Sequence, residues 1–216
     1  MRVVEKFVSI NGEGIKQGQL SVFIRFAFCN LRCGYCDTLY SLINPKYEEE
    51  SIDKLVEFIL STGVKNVTLT GGEPLIQPDI GKLLETLSEL NLNVEIETNG
   101  SVSILPFKNI KNISFTLDYK TPYSGEETKM YLDNYKYVTK KDAVKFVCGD
   151  RNDLIRCKEI IYEYDLQHKT NCIISPVYGT IELTEIVNFL KENTLNDIRM
   201  QLQIHKFIWD KDKRGV

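Results

Sequence analysis

Cys29-Asn30-Leu31-Arg32-Cys33-Gly34-Tyr35-Cys36 places three cysteines within eight residues, and this spacing constrains what the chain can be more than any other stretch. A CxxxCxxC loop can set three thiolates around one face of a cubane iron-sulfur cluster while leaving one iron without a protein ligand. That iron is a place for chemistry. Closed zinc or electron-carrier sites need four protein ligands, and no further Cys or His lies near the loop; the two histidines, His168 and His205, are far downstream. A cluster is favoured over zinc or a disulfide.

The 216 residues are read as one domain, 1–216, with enough chain for a substantial core. Charge is close to balance, 27 basic against 30 acidic residues for a formal net of −3, so neither nucleic acid nor an anionic membrane is called for. Residues 1–10 carry Arg2, Glu5 and Lys6 where a signal peptide needs an apolar core. A cytoplasmic protein is expected, with thiols used for metal or buried rather than paired. The longest apolar run, 22–29, is short and broken by Arg25, which excludes a spanning helix there.

Hydrophobic period predicts strands over 20–26, 66–70, 93–98, 112–117, 143–147, 171–175 and 198–204. Helices are predicted over 52–60, 80–87, 152–164 and 184–192, the first capped by Ser51 and ended at Gly63. This alternation implies repeated β-α units and a mostly parallel sheet, with irregular stretches at 38–50 and 119–142. Alternation within strands puts Thr68 and Thr70, Glu95, Glu97 and Asn99, Ser114, Thr116 and Asp118, and Gln201, Gln203 and His205 each on one face. The opposite faces are apolar. A polar inner side of this kind requires a polar ligand and water to satisfy it. Cys148, Cys157 and Cys172 fall at apolar positions and read as buried thiols, and Arg25 on an apolar strand calls for an anion.

The cysteine spacing resembles the radical S-adenosylmethionine (SAM) enzymes. Thr70-Gly71-Gly72-Glu73-Pro74 after an apolar run, and Glu97-Thr98-Asn99-Gly100 after the next strand, strengthen the likeness. The resemblance implies a partial (β/α) barrel, a 4Fe-4S cluster on Cys29, Cys33 and Cys36, and SAM on the open iron. Ser9-Ile10-Asn11-Gly12-Glu13-Gly14, Phe23-Ile24-Arg25-Phe26, Cys36-Asp37-Thr38, Lys145-Phe146-Val147, Ser175-Pro176 and Gln203-Ile204-His205-Lys206 are similar, nearly end to end, to the family of 7-carboxy-7-deazaguanine synthases. That family converts 6-carboxy-5,6,7,8-tetrahydropterin to 7-carboxy-7-deazaguanine with loss of ammonia, in queuosine and deazapurine biosynthesis. It uses magnesium, an external one-electron reductant of the flavodoxin or ferredoxin type, and a homodimer.

The resemblance also implies roles for single residues. Ile10, Asn11, Gly12, Glu13, Arg25, Thr70, Gln203, His205 and the Val216 carboxylate are expected at the substrate, with Glu13, Arg25 and His205 closest to the chemistry. Tyr35, Cys36, Asp37, Gly71, Gly72, Glu73, Asp118, Tyr119, Lys120, Ser175, Pro176, Val177 and Tyr178 are expected along SAM, and Thr38 on magnesium. A carboxylate such as Glu13 can accept an amide and amine edge at two points, and a guanidinium can clamp a carboxylate. A structural reading stands beside several of these: Thr38 as a loop cap, the Gly-Gly pair as a tight turn, His205 as a satisfied structural histidine. The family commonly has Ser-Pro-Lys where this chain has Asp118-Tyr119-Lys120, and the segment after His205 is longer than in some relatives. Two other functions fit the cysteines: a radical SAM activase acting on a partner protein, and a non-catalytic metal-binding module.

Overall fold

The computed structural model describes residues 1–210 and 213–216. One sheet of nine strands runs through it: β1 (Arg2–Ile10), β2 (Leu20–Phe26), β3 (Glu48–Glu49), β4 (Asn66–Gly71), β5 (Asn93–Thr98), β6 (Ile113–Tyr119), β7 (Ala143–Cys148), β8 (Asn171–Pro176) and β9 (Ile198–Met200). Their spatial order is β3-β1-β2-β4-β5-β6-β7-β8-β9. From β2 to β9 all pairings are parallel, whereas β1 pairs antiparallel with β2 and β3. The sheet curls without closing, as a partial barrel.

Helices cover the outer face. α1 (Ile52–Ser61) starts where the Ser51 side chain accepts from the Lys54 amide, and Gly63 follows it at φ +69°. Leu55 and Ile59 of α1, and Leu83, Leu84 and Leu87 of α2 (Ile80–Glu89), pack into the core with Val67, Leu69, Val94 and Ile96 from the strands. α3 (Arg151–Glu163) contributes Leu154, Cys157, Ile160 and Ile161. The short α4 (Leu166–Lys169) and then α5 (Leu183–Glu192), with Ile186 and Phe189, complete the layer. Cys148, Cys157 and Cys172 lie in this core, as the apolar pattern predicts.

The sequence reading departs from the structure at both ends. It gives no strand to 2–10, because the register with β2 shifts between Val3 and Glu5, and a bulge of this kind spoils the period-two alternation on which strand recognition depends. It extends the last strand to 204, but β9 ends at Met200. Residues 201–204 leave the sheet because their polar groups are taken by the β1–β2 loop: Gln201 binds both the amide and the carbonyl of Gly14 at 2.8 and 2.9 Å, and the Ile204 amide donates to Gly12. His205 opens a short helix, α6 (His205–Ile208), and does not share a strand face with Gln201 and Gln203.

Candidate functional site

The inner face of the sheet and its carboxyl-end loops enclose a cleft of about 610 Å³. Cys29, Cys33 and Cys36 line one end as half-buried free thiols. Leu31, 1% exposed, anchors their loop. The Gly34 amide donates to the Ser124 carbonyl at 3.0 Å, and the Arg32 amide to Glu126 at 2.7 Å. The Leu31 amide and the Asn99 side-chain amide each donate to Cys29 Sγ at 3.4 Å, an arrangement that suits a thiolate. Without metal, burial pushes Cys29 upward and Cys33 up to about 11, so iron binding displaces protons.

A cubane spreads three thiolates over three irons, so they need not converge on a point. Among the described residues, no three His, Cys, Asp or Glu side chains are placed to hold a single ion. The three thiols fit a cluster better than one zinc ion. Tyr35 lines the cleft and its Oη is buried with no hydrogen-bond partner in the protein, as suits a wall that meets a polar ligand.

The Gly-Gly turn is held against the cysteine loop by backbone. The Gly72 amide donates to Phe26 and the Glu73 amide to Phe28, at 2.9 and 2.8 Å. Gly71 has φ +126°, and a Cβ on Gly72 would stand 1.8 Å from the Phe28 carbonyl oxygen. Glycine is therefore required for close approach, whatever the turn also binds. Glu73, expected along SAM, is fully buried and does not itself line the cleft. It accepts from Leu75 N at 3.0 Å, Thr98 Oγ1 at 2.8 Å and Asn99 N at 2.7 Å, so it ties the Gly-Gly turn to the end of β5. Burial outweighs these donors and raises its carboxyl to about 7.

The other end of the cleft is charged. Arg25 donates Nε to Glu5 at 2.7 Å, the Tyr40 hydroxyl donates to the same oxygen at 2.9 Å, and the Arg214 guanidinium lies 3.6 Å from the Tyr40 ring centroid. Glu13 is bonded through one oxygen to Lys145 and through the other to Gln203. Asp118 lies 3.1 Å from Lys145 and 2.9 Å from Lys120. Burial would raise Asp118, but the two ammonium groups outweigh it and hold the carboxyl low; they stay charged because carboxylates flank them. Thr70 donates to Glu97 at 2.7 Å, and burial raises Glu97 to about 7. Beneath lies a closed web in which Thr68 donates to Asn11, and Asn11 and Thr116 donate to Glu95.

Most of the expected residues meet here. Ile10, Gly12, Glu13, Arg25, Tyr35, Asp37, Thr38, Thr70, Gly71, Gly72, Asp118, Lys120, Pro176, Val177, Tyr178, Gln203, His205 and Val216 line the cleft beside the three cysteines. Asn11 is in the web below it, and Ser175 is buried behind the wall. The Tyr119 side chain points the other way, into the core against Phe146, and does not line the cleft; its strand neighbours take the inner face. Thr38 precedes the turn Leu39–Ser41 but its side chain caps nothing; the hydroxyl is 3.6 Å from Cys36 Sγ. That removes the loop-cap reading. His205 Nδ1 packs where a Cβ on Gly12 would come within 1.9 Å, and burial lowers its pKa.

Sequence reasoning put Glu97 on the polar inner face without a role and met Lys145 only within the Lys145-Phe146-Val147 likeness, and it missed Glu5, Tyr40 and Arg214 as wall residues. Lys145 left one signal, a lone charge inside Ala143-Val144-Lys145-Phe146-Val147. The ion pairs that bring the others together join distant segments and leave none.

Residues 23–123 match the radical SAM superfamily model. The chain is 56% identical to the 7-carboxy-7-deazaguanine synthase of Clostridium acetobutylicum, over 100% of this chain and 99% of that one. It is 36% identical to the enzyme of the same name from Leptospira interrogans, over 99% and 97%. The fold is similar to the crystal structure of QueE from Escherichia coli, TM-score 0.75 at 20% identity, covering 93% of this chain and 92% of that one. Streptococcus suis SuiB bound to S-adenosylmethionine shares the fold at TM-score 0.60 and 17% identity, over 83% of this chain and 51% of that one.

Proposed function

This chain belongs to the 7-carboxy-7-deazaguanine synthase family of radical SAM enzymes, and we propose that it contracts 6-carboxy-5,6,7,8-tetrahydropterin to 7-carboxy-7-deazaguanine, releasing ammonia. The observation that carries this reading is one cleft with three free cysteines at one end and Arg25, Glu13 and Glu97 at the other. The full-length likeness to a synthase favours it over an activase or a metal-binding module.

Cys29, Cys33 and Cys36 would hold the iron-sulfur cluster, which together with SAM would supply the radical chemistry that the ring contraction needs. The chain supplies placement and dryness. Arg25, held at Nε by Glu5, offers the rest of its fork to the substrate carboxylate. Glu13 accepts from the amide and amine edge, using oxygen lone pairs beyond those taken by Lys145 and Gln203. Glu97, with its carboxyl raised to about 7, can hold or release a proton near neutrality, next to Thr70. Tyr35, Asp118, Lys120 and the 176–178 turn, which line the cleft, would border the cofactor.

Thr38, whose hydroxyl caps no turn, would be the residue that offers magnesium a hard oxygen beside the substrate carboxylate. A homodimer in the cytoplasm, reduced by a flavodoxin or ferredoxin type of protein, completes the proposal. No helix among the described residues is long and apolar enough to cross a membrane. Anaerobic reconstitution with SAM, dithionite, magnesium and the carboxytetrahydropterin should yield the deazaguanine by mass spectrometry, with SAM regenerated. Consumed SAM with no deazaguanine would sink the reading.

A further inference from the structure

Lys145 is the only charged residue of β7, and its strand places it on the inner face with Ala143 and Val147. In the β6–β7 register it stands directly across from Asp118. Its ammonium is 3.1 Å from one Asp118 oxygen and bonded to Glu13, which comes from the β1–β2 loop. The remaining oxygens of the two carboxylates are taken by Lys120, at 2.9 Å from Asp118, and by the Gln203 amide on Glu13. A continuous chain of polar contacts, Lys120-Asp118-Lys145-Glu13-Gln203, thus crosses the cleft from the cofactor side to the substrate side.

The surroundings of Glu13 explain why it needs this partner. Glu95 and Glu97 of β5 face it as carboxyls, His205 faces it from the C-terminal segment, and Gln203 is neutral. Lys145 is the cation in direct contact with it among the described residues. A glutamate on a loop has three side-chain torsions to fix, and a buried carboxylate without a cation is strongly disfavoured. Lys145 in turn is held by Asp118, which is itself held by Lys120.

We propose that Lys145 is a positioning residue: it fixes the Glu13 carboxylate in the orientation that receives the amide and amine edge of the pterin, and ties that orientation to the cofactor side through Asp118. This rests on the synthase reading and adds to it a residue that acts through Glu13.

The test is calorimetric titration of carboxytetrahydropterin into the cluster-loaded, SAM-bound enzyme as wild type, Lys145→Met, Lys145→Arg, Glu13→Gln and Glu13→Gln/Lys145→Met, with turnover read separately by mass spectrometry. Lys145→Met should weaken pterin binding by about tenfold or more while SAM affinity stays within about threefold, and Lys145→Arg should recover part of the loss. Because Lys145 acts through Glu13, the double variant should bind no more weakly than Glu13→Gln alone. The double variant also removes the unpaired buried carboxylate, so it decides the matter if Lys145→Met does not fold.

Unchanged pterin affinity in Lys145→Met, an equal loss of SAM affinity, or a double variant a further tenfold weaker than Glu13→Gln would each overturn the assignment. Wild type that binds the pterin without converting it counts against the proposed reaction and leaves Lys145 to be judged by binding. Wild type that does not bind overturns both.

Discussion

The two ends of the cleft are built by different means. At the cysteine end, main chain holds main chain: Gly34 to Ser124, Gly72 to Phe26, Glu73 to Phe28, with Gly71 and Gly72 admitting no Cβ. At the far end the geometry is made by charged side chains from remote segments, Glu13 with Lys145, Asp118 with both lysines, and Arg25 with Glu5. Backbone packing gives a rigid cradle that tolerates almost no change in side-chain volume. Ion pairs give a wall whose fit depends on charge and reach, and which can be altered one group at a time.

The sharpest contrast is among the cysteines. Cys29→Ala, Cys33→Ala or Cys36→Ala should each abolish retention of cluster iron, since three thiolates are the minimum for the loop. Cys148→Ala, Cys157→Ala and Cys172→Ala, all in the core, should cost about 1 kcal/mol of stability each and leave iron content unchanged. Iron per chain and thermal melts decide it, and iron lost from a core variant would refute a single cluster.

Gly72→Ala comes next. Its Cβ would meet the backbone oxygen of Phe28 at 1.8 Å, which a flexible side chain cannot relieve. A loss of about 3 kcal/mol, the upper part of the overpacking range, is expected, with the cysteine loop displaced. A normal melt with full iron content would show that the turn is less tightly seated than the hydrogen bonds imply.

At the charged end, Arg25→Lys should spare iron and SAM binding but weaken pterin binding by about tenfold, because an ammonium cannot hold Glu5 through Nε and also present a planar fork. Titration of the loaded enzyme measures it. Equal affinity in the variant would remove Arg25 as the clamp.

These effects follow the line between what could and could not be read from the sequence. The cradle was legible because local chemistry fixes it: CxxxCxxC, Gly-Gly and the Ser51 cap each act within a few residues. The alternation of β5 and β6 gave the polar inner face, and the apolar stripes gave the helices that cover its back. The direction of the Glu73 side chain was not legible because a motif carries no sign of which way a side chain turns, and only the bonds to Thr98 and Asn99 show it tying two turns together. The bulge in β1 erased its period, and 201–204 left the sheet for partners on the β1–β2 loop. Lys145 and Glu13 are 132 residues apart. No local pattern joins them.

Thr38→Val tests a smaller contribution at the boundary between the two ends. The hydroxyl caps no turn, so stability and iron content should hold. Turnover should fall severalfold, and its dependence on added magnesium should weaken as one oxygen ligand is removed. A magnesium response identical to wild type would exclude Thr38 as a ligand.

The smallest expected effect is a pH response set by Glu97. Its carboxyl is raised to about 7 by burial, although Lys145 opposes the shift and Thr70 donates to it. The folded protein therefore keeps a proton that the unfolded chain releases near the ordinary glutamate value of about 4.3. Between those values the native state binds more protons than the unfolded state, so stability falls as pH rises. The contribution is complete below the unfolded value and is lost as pH climbs through about 7. Glu97→Gln keeps shape and an acceptor for Thr70 but cannot ionise. Relative to wild type it should gain stability between pH 5 and pH 8, with melting temperatures diverging by a few degrees over that window. Glu73, raised to about 7 as well, leaves part of the slope in both proteins, so only the difference between them belongs to Glu97. A constant difference across the range would place the Glu97 carboxyl outside it, and with it the proton-holding role beside Thr70.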